Sequence, residues 1–189
     1  MARWQPGADG RLREAALTLF LERGYEHTTV AEIAEQAGVT ARTFFRHFPD
    51  KREVLFSGVE PLGTGMAEAL TAAPADATPV EAVALALDAA AALIGGRRDQ
   101  SRRRQVVIDA NLELQERELV KPATLASALA AALRDRAVPE GEARLVAESA
   151  VTVLRVGFDR WVSSSGRQGL AGTLRQVLTQ LLALGPRPS

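Results

Sequence analysis

The sequence predicts an all-α protein, on three observations. Apolar residues recur at three- and four-residue intervals through most of the chain, Thr or Asp followed three residues later by Glu marks helix starts, and no run alternates apolar and polar as a half-buried strand would. Leu12, Ala15, Ala16, Leu19 and Phe20 define a first helix that Gly24 closes, with Tyr25 placed to pack back on Phe20. Thr29 and Glu32 have capping-box spacing and open a second helix, whose apolar side is Val30, Ile33, Ala34 and Ala37. Gly38 stops that helix and Thr40 caps the next only two residues later, so the second and third helices meet at a sharp angle. This is a helix-turn-helix by construction. The third helix runs from about Ala41 to His47 before Pro49 ends it, and Asp50 with Glu53 starts a fourth.

Val54, Leu55 and Val59 continue the fourth helix, which Pro61, Gly63 and Gly65 are expected to kink or end. Thr78, Pro79 and Glu81 open a helix that reaches about Ile94 and closes at Gly95 and Gly96. The basic run 97–104 reads as a solvated loop or helix end. Further helices are expected over 105–117, 122–137, 142–162 and 170–184. The 142–162 helix is apolar on two sides, with Ala147, Val151, Leu154, Phe158 and Val162 in one stripe and Val146, Ala150, Val153 and Gly157 in a neighbouring one. Such a helix must be buried twice. Leu170, Leu174, Val177, Leu178, Leu181 and Leu182 give the last helix a similarly wide face, and the excess apolar surface predicts a dimer, with a monomer of thick core as the alternative.

A chain of 189 residues buries a sizeable core without staples, and it has no cysteine, which removes disulfides and thiolate sites together. The first residues hold no apolar run of signal-peptide length, so a cytoplasmic protein is expected. Residues 80–96 are apolar but shorter than a span of about 20 residues and contain Glu81 and Asp88, so they read as a buried core helix. Net charge is zero, over the whole chain and over the first 56 residues alike, so any nucleic-acid contact depends on where charges sit. Trp4, Phe20, Tyr25, Phe44, Phe45, Phe48 and Phe56 leave only Phe158 and Trp161 downstream. Two modules follow, an aromatic-cored 1–56 and an Ala-, Leu- and Val-rich 57–189. His27 and His47 are the histidines, and no catalytic triad, metal cluster or phosphate loop assembles around them. A non-enzyme is expected, with no cofactor and no metal.

The run VTARTFFRHFPDKREVLF, within residues 11–59, resembles the DNA-binding domain of the tetracycline-repressor (TetR) family. The resemblance implies an N-terminal three-helix DNA-binding domain, a C-terminal ligand-binding and dimerisation domain, and a repressor released from an inverted-repeat operator by a small, largely apolar ligand. Ala41, Arg42, Phe45 and Arg46 match positions that reach base edges in the major groove, and either arginine suits guanine O6 and N7. No acidic residue lies between Val39 and Pro49. Thr29, Thr40, Thr43, His47 and Lys51 match phosphate-contact positions, and loss of Lys51 is expected to weaken binding to all sequences alike. Phe45 stands where the family often has tyrosine, while Phe44 and Phe48 read as core. In the family the last two helices pair with their twofold mates, which here nominates Ala150, Val153, Gly157, Leu174, Val177 and Leu181 for the dimer interface. Met66, Asn111, Phe158 and Trp161 are the candidates for ligand contact. Release requires a dimer state whose recognition helices no longer match adjacent major grooves, and the interruption near Pro61 is the expected place to bend. The competing reading is a DNA-binding regulator without a small-molecule effector, governed by a partner or by abundance.

Overall fold

The computed structural model describes residues 7–57 and 59–184, the side chains of 59 and 119–121 excepted. Trp4 lies outside them. In chain order the helices are α1 (Ala8–Arg23), α2 (Val30–Gln36), α3 (Ala41–His47), α4 (Glu53–Phe56), α5 (Val59–Thr71), α6 (Pro79–Ile94), α7 (Arg98–Asp109), α8 (Leu112–Asp135), α9 (Glu140–Ser163) and α10 (Leu170–Leu182). No strand occurs among the described residues. The chain divides into two compact units, Met1–Gly58 with Arg102–Arg117 and Val59–Ser101 with Glu118–Ser189. A contiguous division at 56/57 therefore misses one segment, because 102–117 joins the first unit.

In the first unit α1 buries Leu12, Ala16, Leu19 and Phe20 and stops at Gly24, whose N–H donates to the Phe20 carbonyl at 3.0 Å. Tyr25 then turns back edge-on to Phe20, with ring centroids 5.1 Å apart. Ile33, Phe44, Phe48, Leu55 and Phe56 complete the aromatic core, and Val107, Ile108 and Leu114 enter it from the distant segment. Burying each such side chain stabilises the fold by about 1.5–3 kcal/mol.

The basic run is not a solvated loop. It forms much of α7, where Arg103 pairs with Glu14 and donates to Thr18 Oγ1 at 3.0 Å, and Arg104 donates to the Leu55 carbonyl at 2.7 Å. The expected helix 105–117 breaks at Asn111, whose Nδ2 donates to the Val107 carbonyl at 2.6 Å and whose own carbonyl accepts from Leu114 and Gln115. Conversely, α8 runs through Pro122, which removes one backbone bond while Leu125, Ala126, Leu129 and Leu133 keep the helix packed. Pro61 does not interrupt a helix either. It is the third residue of α5, in the turn where backbone N–H groups have no intrahelical acceptor, and α4 has already ended at Phe56.

In the second unit α6 packs on α5, α9 and α10, and α9 packs on α10 as well. Both apolar stripes of α9 are thereby covered within one chain. Ala150, Val153, Gly157, Leu174 and Val177, expected to face a twofold mate, are buried in the protomer's own core, with Leu181 half-buried against it. At Gly157 the reason is steric, because a Cβ there would stand 2.5 Å from Leu174 Cδ2. Gly157→Val should therefore overpack this seam at a cost of about 1–3 kcal/mol, read as a lower urea midpoint. An unchanged midpoint would place the close contact elsewhere.

Two capping boxes carry a pH signature. Hydrogen bonds from the Thr29 backbone N–H, then from its hydroxyl, hold the Glu32 carboxyl below its ordinary value, and Thr78 does the same for Glu81. A carboxylate lowered in the folded state contributes stability above its unfolded value of about 4.3 and loses it as pH falls through the folded value. Melting temperature should decline on acidification below about pH 5, and less steeply in Glu32→Gln, which keeps an acceptor oxygen but cannot titrate. Parallel pH profiles for the two proteins would refute this.

Candidate DNA-binding surface

The helix-turn-helix is built by local hydrogen bonds. Thr29 Oγ1 accepts from the Glu32 N–H at 3.3 Å, while the Thr29 N–H donates to Glu32 Oε2 at 2.8 Å, which completes the capping box of α2. At its other end Gly38 adopts φ +68°, a left-handed conformation that an L side chain resists, and the Val39 N–H closes onto the Ala34 carbonyl at 2.9 Å. Thr40 Oγ1 then accepts from the Thr43 N–H at 3.2 Å and starts α3. Arg11 Nε donates to the Ala37 carbonyl at 3.2 Å and ties α1 to this turn.

Phe44 is fully buried and Phe48 nearly so, their rings 5.5 Å apart. That fixes the roll of α3. Ala41, Arg42, Phe45 and Arg46 are all exposed, Phe45 by 56%. Arg42 and Arg46 sit one turn apart and carry no ion pair among the described residues, so two cations and an apolar ring share one outward face without a carboxylate. His47 is exposed at the last turn, Thr40 is exposed at the first, and Thr43 is half-buried with its hydroxyl 3.1 Å from that of Thr40. Thr29 is exposed, and its hydroxyl is engaged with Glu32 Oε2 at 2.8 Å.

Lys51 is placed differently from the other expected contacts. It is half-buried, and its Nζ donates to the carbonyls of Tyr25 at 2.9 Å, Thr28 at 3.3 Å and Glu26 at 3.4 Å.

Sequence reasoning missed the residues that brace this surface from behind. Asp50 Oδ1 accepts from the backbone N–H groups of Arg52 and Glu53 at 2.8 and 3.1 Å, and the Arg52 guanidinium bridges Asp50 to Glu113, each at 2.8 Å. The side-chain bond from Arg52 is the main reason the Asp50 carboxyl is held below its ordinary value. Glu53, expected to complete a capping box with Asp50, pairs with Arg117 instead. Nothing in local spacing announces partners about sixty residues apart.

The four ligand candidates do not come together. Asn111 belongs to the first unit, where it breaks α7 from α8. Met66 and Trp161 are buried in the second unit's core, with Phe158 half-buried and its ring 5.8 Å from that of Trp161. The second unit instead has a groove of about 590 Å³ between α5 and α8, floored by Gly63, Ala67, Ala128, Ala131 and Ala132 and flanked by Thr64, Thr71, Glu68 and Asp135. None of the four lines it. No group of three or more metal-ligating side chains occurs among the described residues, and no single described helix is long and apolar enough to cross a membrane.

The family model for bacterial regulatory proteins of the tetR family matches residues 12–57, from the first buried leucine of α1 to the end of α4. Among relatives, the transcriptional regulator TcmR of Streptomyces glaucescens is 47% identical over 75 residues, which are 40% of this chain and only 33% of TcmR. An uncharacterized HTH-type transcriptional regulator of Mycobacterium tuberculosis, MT2310, is 31% identical over 143 residues, 73% of each protein. Among solved structures, the transcriptional regulator FadR of Bacillus subtilis, in complex with stearoyl-CoA, superposes with a TM-score of 0.61 at 24% identity over 92% of this chain and 97% of that one. The fold, the outward arginine face of α3 and a relative matched over most of its length agree: the chain belongs to the TetR family of bacterial transcriptional regulators.

Proposed function

We propose that this regulator is a cytoplasmic, homodimeric repressor that binds an inverted-repeat operator and leaves it when a small, largely apolar ligand binds. The outward face of α3 carries this reading. A guanidinium fork matches guanine O6 and N7 in the major groove, and an exposed phenylalanine suits a thymine methyl group. Ala41 leaves room for close approach of the helix, while Thr40, Thr43 and His47 flank the face toward the phosphates, and Thr29 contributes as the cap of α2. Operator selected from a random DNA pool should be an inverted repeat, with half-sites about 34–36 Å apart. On that operator Arg42→Ala and Arg46→Ala should each cost about 1–3 kcal/mol wherever a bidentate base contact is lost, and should relax sequence preference there. Two variants with wild-type affinity and preference at matched salt would end the base-readout reading.

One side of α9 supports a revised dimer surface. Leu145, Ser149, Thr152 and Val156 recur there at intervals of four, three and four; Leu145, at 68%, and Thr152 are exposed, while Ser149 and Val156 are half-buried. On α10, Leu182 is 56% exposed.

For the effector, the alanine-floored groove is the supporting feature. Its flanking carboxylates, Glu68 and Asp135, have no cation beside them among the lining residues, which disfavours an anionic ligand such as the acyl-CoA bound by the B. subtilis relative and favours a neutral or cationic one. The second reading, a regulator without an effector, is favoured by the burial of Met66, Leu70, Leu129 and Trp161 within the second unit's apolar core. The two separate in one measurement: a compound that raises thermal stability should weaken operator binding if the groove is a sensor. Equal affinity with and without that compound means zero coupling, and leaves the effector-free reading.

A further inference from the structure

We infer that Lys51 is a positioning residue: its ammonium clamps the loop before α2 to the turn after α3, and thereby holds the helix-turn-helix from both ends without touching DNA. The α2–turn–α3 segment hangs between two irregular stretches, 24–29 and 48–52. One side chain joins them. Lys51 Nζ lies 2.9 Å from the Tyr25 carbonyl oxygen, 3.3 Å from that of Thr28 and 3.4 Å from that of Glu26, and 4.2 Å from the centroid of the Tyr25 ring. An ammonium has three donors and no acceptor, so its hydrogen-bonding capacity is met inside the protein. Three carbonyl dipoles and an aromatic face together compensate the charge.

The acceptors are themselves fixed. Tyr25 is 2% exposed and edge-on to Phe20, and Thr28 is 1% exposed with its hydroxyl donating to the Gly24 carbonyl at 2.9 Å. Burial first, and the Glu113 carboxylate second, push the Tyr25 phenol up, so the ring stays neutral beneath the cation. Arg42 and Arg46 show the contrast, exposed on α3 with no ion pair among the described residues. Carbonyls converging on a single nitrogen also suit lysine specifically, because a compact ammonium can donate to all of them and a planar guanidinium fork cannot. Lys51→Arg therefore keeps the charge and loses the clamp.

This inference rests on the DNA-binding reading only for its affinity arm. With full-length protein and the selected operator, Lys51→Arg and Lys51→Gln should both lose affinity by about tenfold, as expected if the competent α3 geometry falls to about a tenth of the population. The slope of log affinity against log salt should stay at the wild-type value, and amides of 25–29 should exchange faster in the free variants. Arginine restoring wild-type affinity, or glutamine lowering the slope by about 0.9, would make Lys51 a phosphate contact and overturn the clamp. So would wild-type affinity in both variants, or unchanged exchange. If the variants do not fold, the wild-type Lys51 ammonium protons are read by NMR without DNA: a slowly exchanging signal, unmoved when operator is added, is the expected result. A signal that appears only with operator overturns the inference, and the free-protein readouts hold whether or not the operator reading survives.

Discussion

The burial of Phe44, with Phe48 one turn on, is the constraint on which the rest of the first unit depends. Successive helical side chains are rotated by about 100°, so placing these two rings in the core forces positions 41, 42, 45 and 46 outward together. Recognition chemistry is then a consequence of core packing. No contact made by Arg42 or Arg46 themselves is needed to aim them, which leaves both guanidinium groups available to an external partner. Arg13 reinforces the arrangement from α1, its guanidinium 5.8 Å from the centre of the Phe48 ring.

A seven-residue helix cannot hold its own orientation, because isolated short helices are marginal in water. Here the orientation is imposed by neighbours on every side: the Gly38 turn before it, the Arg11 bond to Ala37, the Asp50–Arg52 corner after it, and the arginines of α7 against α1 and α4. Several of these are charge-assisted bonds among half-exposed groups, each worth little alone. Their effect is geometric, since each one removes a way for the segment to tilt.

In the second unit the same logic gives a different outcome. Residues of α9 that are small, Ala147, Ala150 and Gly157, let α6 and α10 approach it closely, and the apolar surplus is absorbed within one chain. Arg98 locks the α9–α10 connection by donating to the Gly166 carbonyl at 2.5 Å and to that of Gln168, with its guanidinium 5.0 Å from the centre of the Trp161 ring. An alanine-floored groove lies between α5 and α8, and α9 carries a mixed polar and apolar stripe on which Leu145 is exposed.

The sequence by itself determined what rests on neighbours within about four residues. The caps at Thr29, Thr40 and Thr78, the stop at Gly38, and the inward and outward faces of α3 follow from hydrogen bonds and periodicity that a linear reading contains. Tertiary structure decided everything that required two distant stretches to meet. Periodicity showed that α9 is apolar on two sides but carried no information on whether a second chain or its own α6 and α10 would cover them. The local pattern started a helix at Pro122, whereas α8 runs through that residue from Leu112. Lys51 read as a match to a phosphate-contact position, and its carbonyl acceptors, 23 to 26 residues upstream, gave no local sign; the 102–117 segment read as part of the second domain because Glu14, Leu55 and Glu53 give no sign along the chain of the arginines they meet. A pairing of that kind depends on the shape of the assembled core, which exists only once the chain has folded.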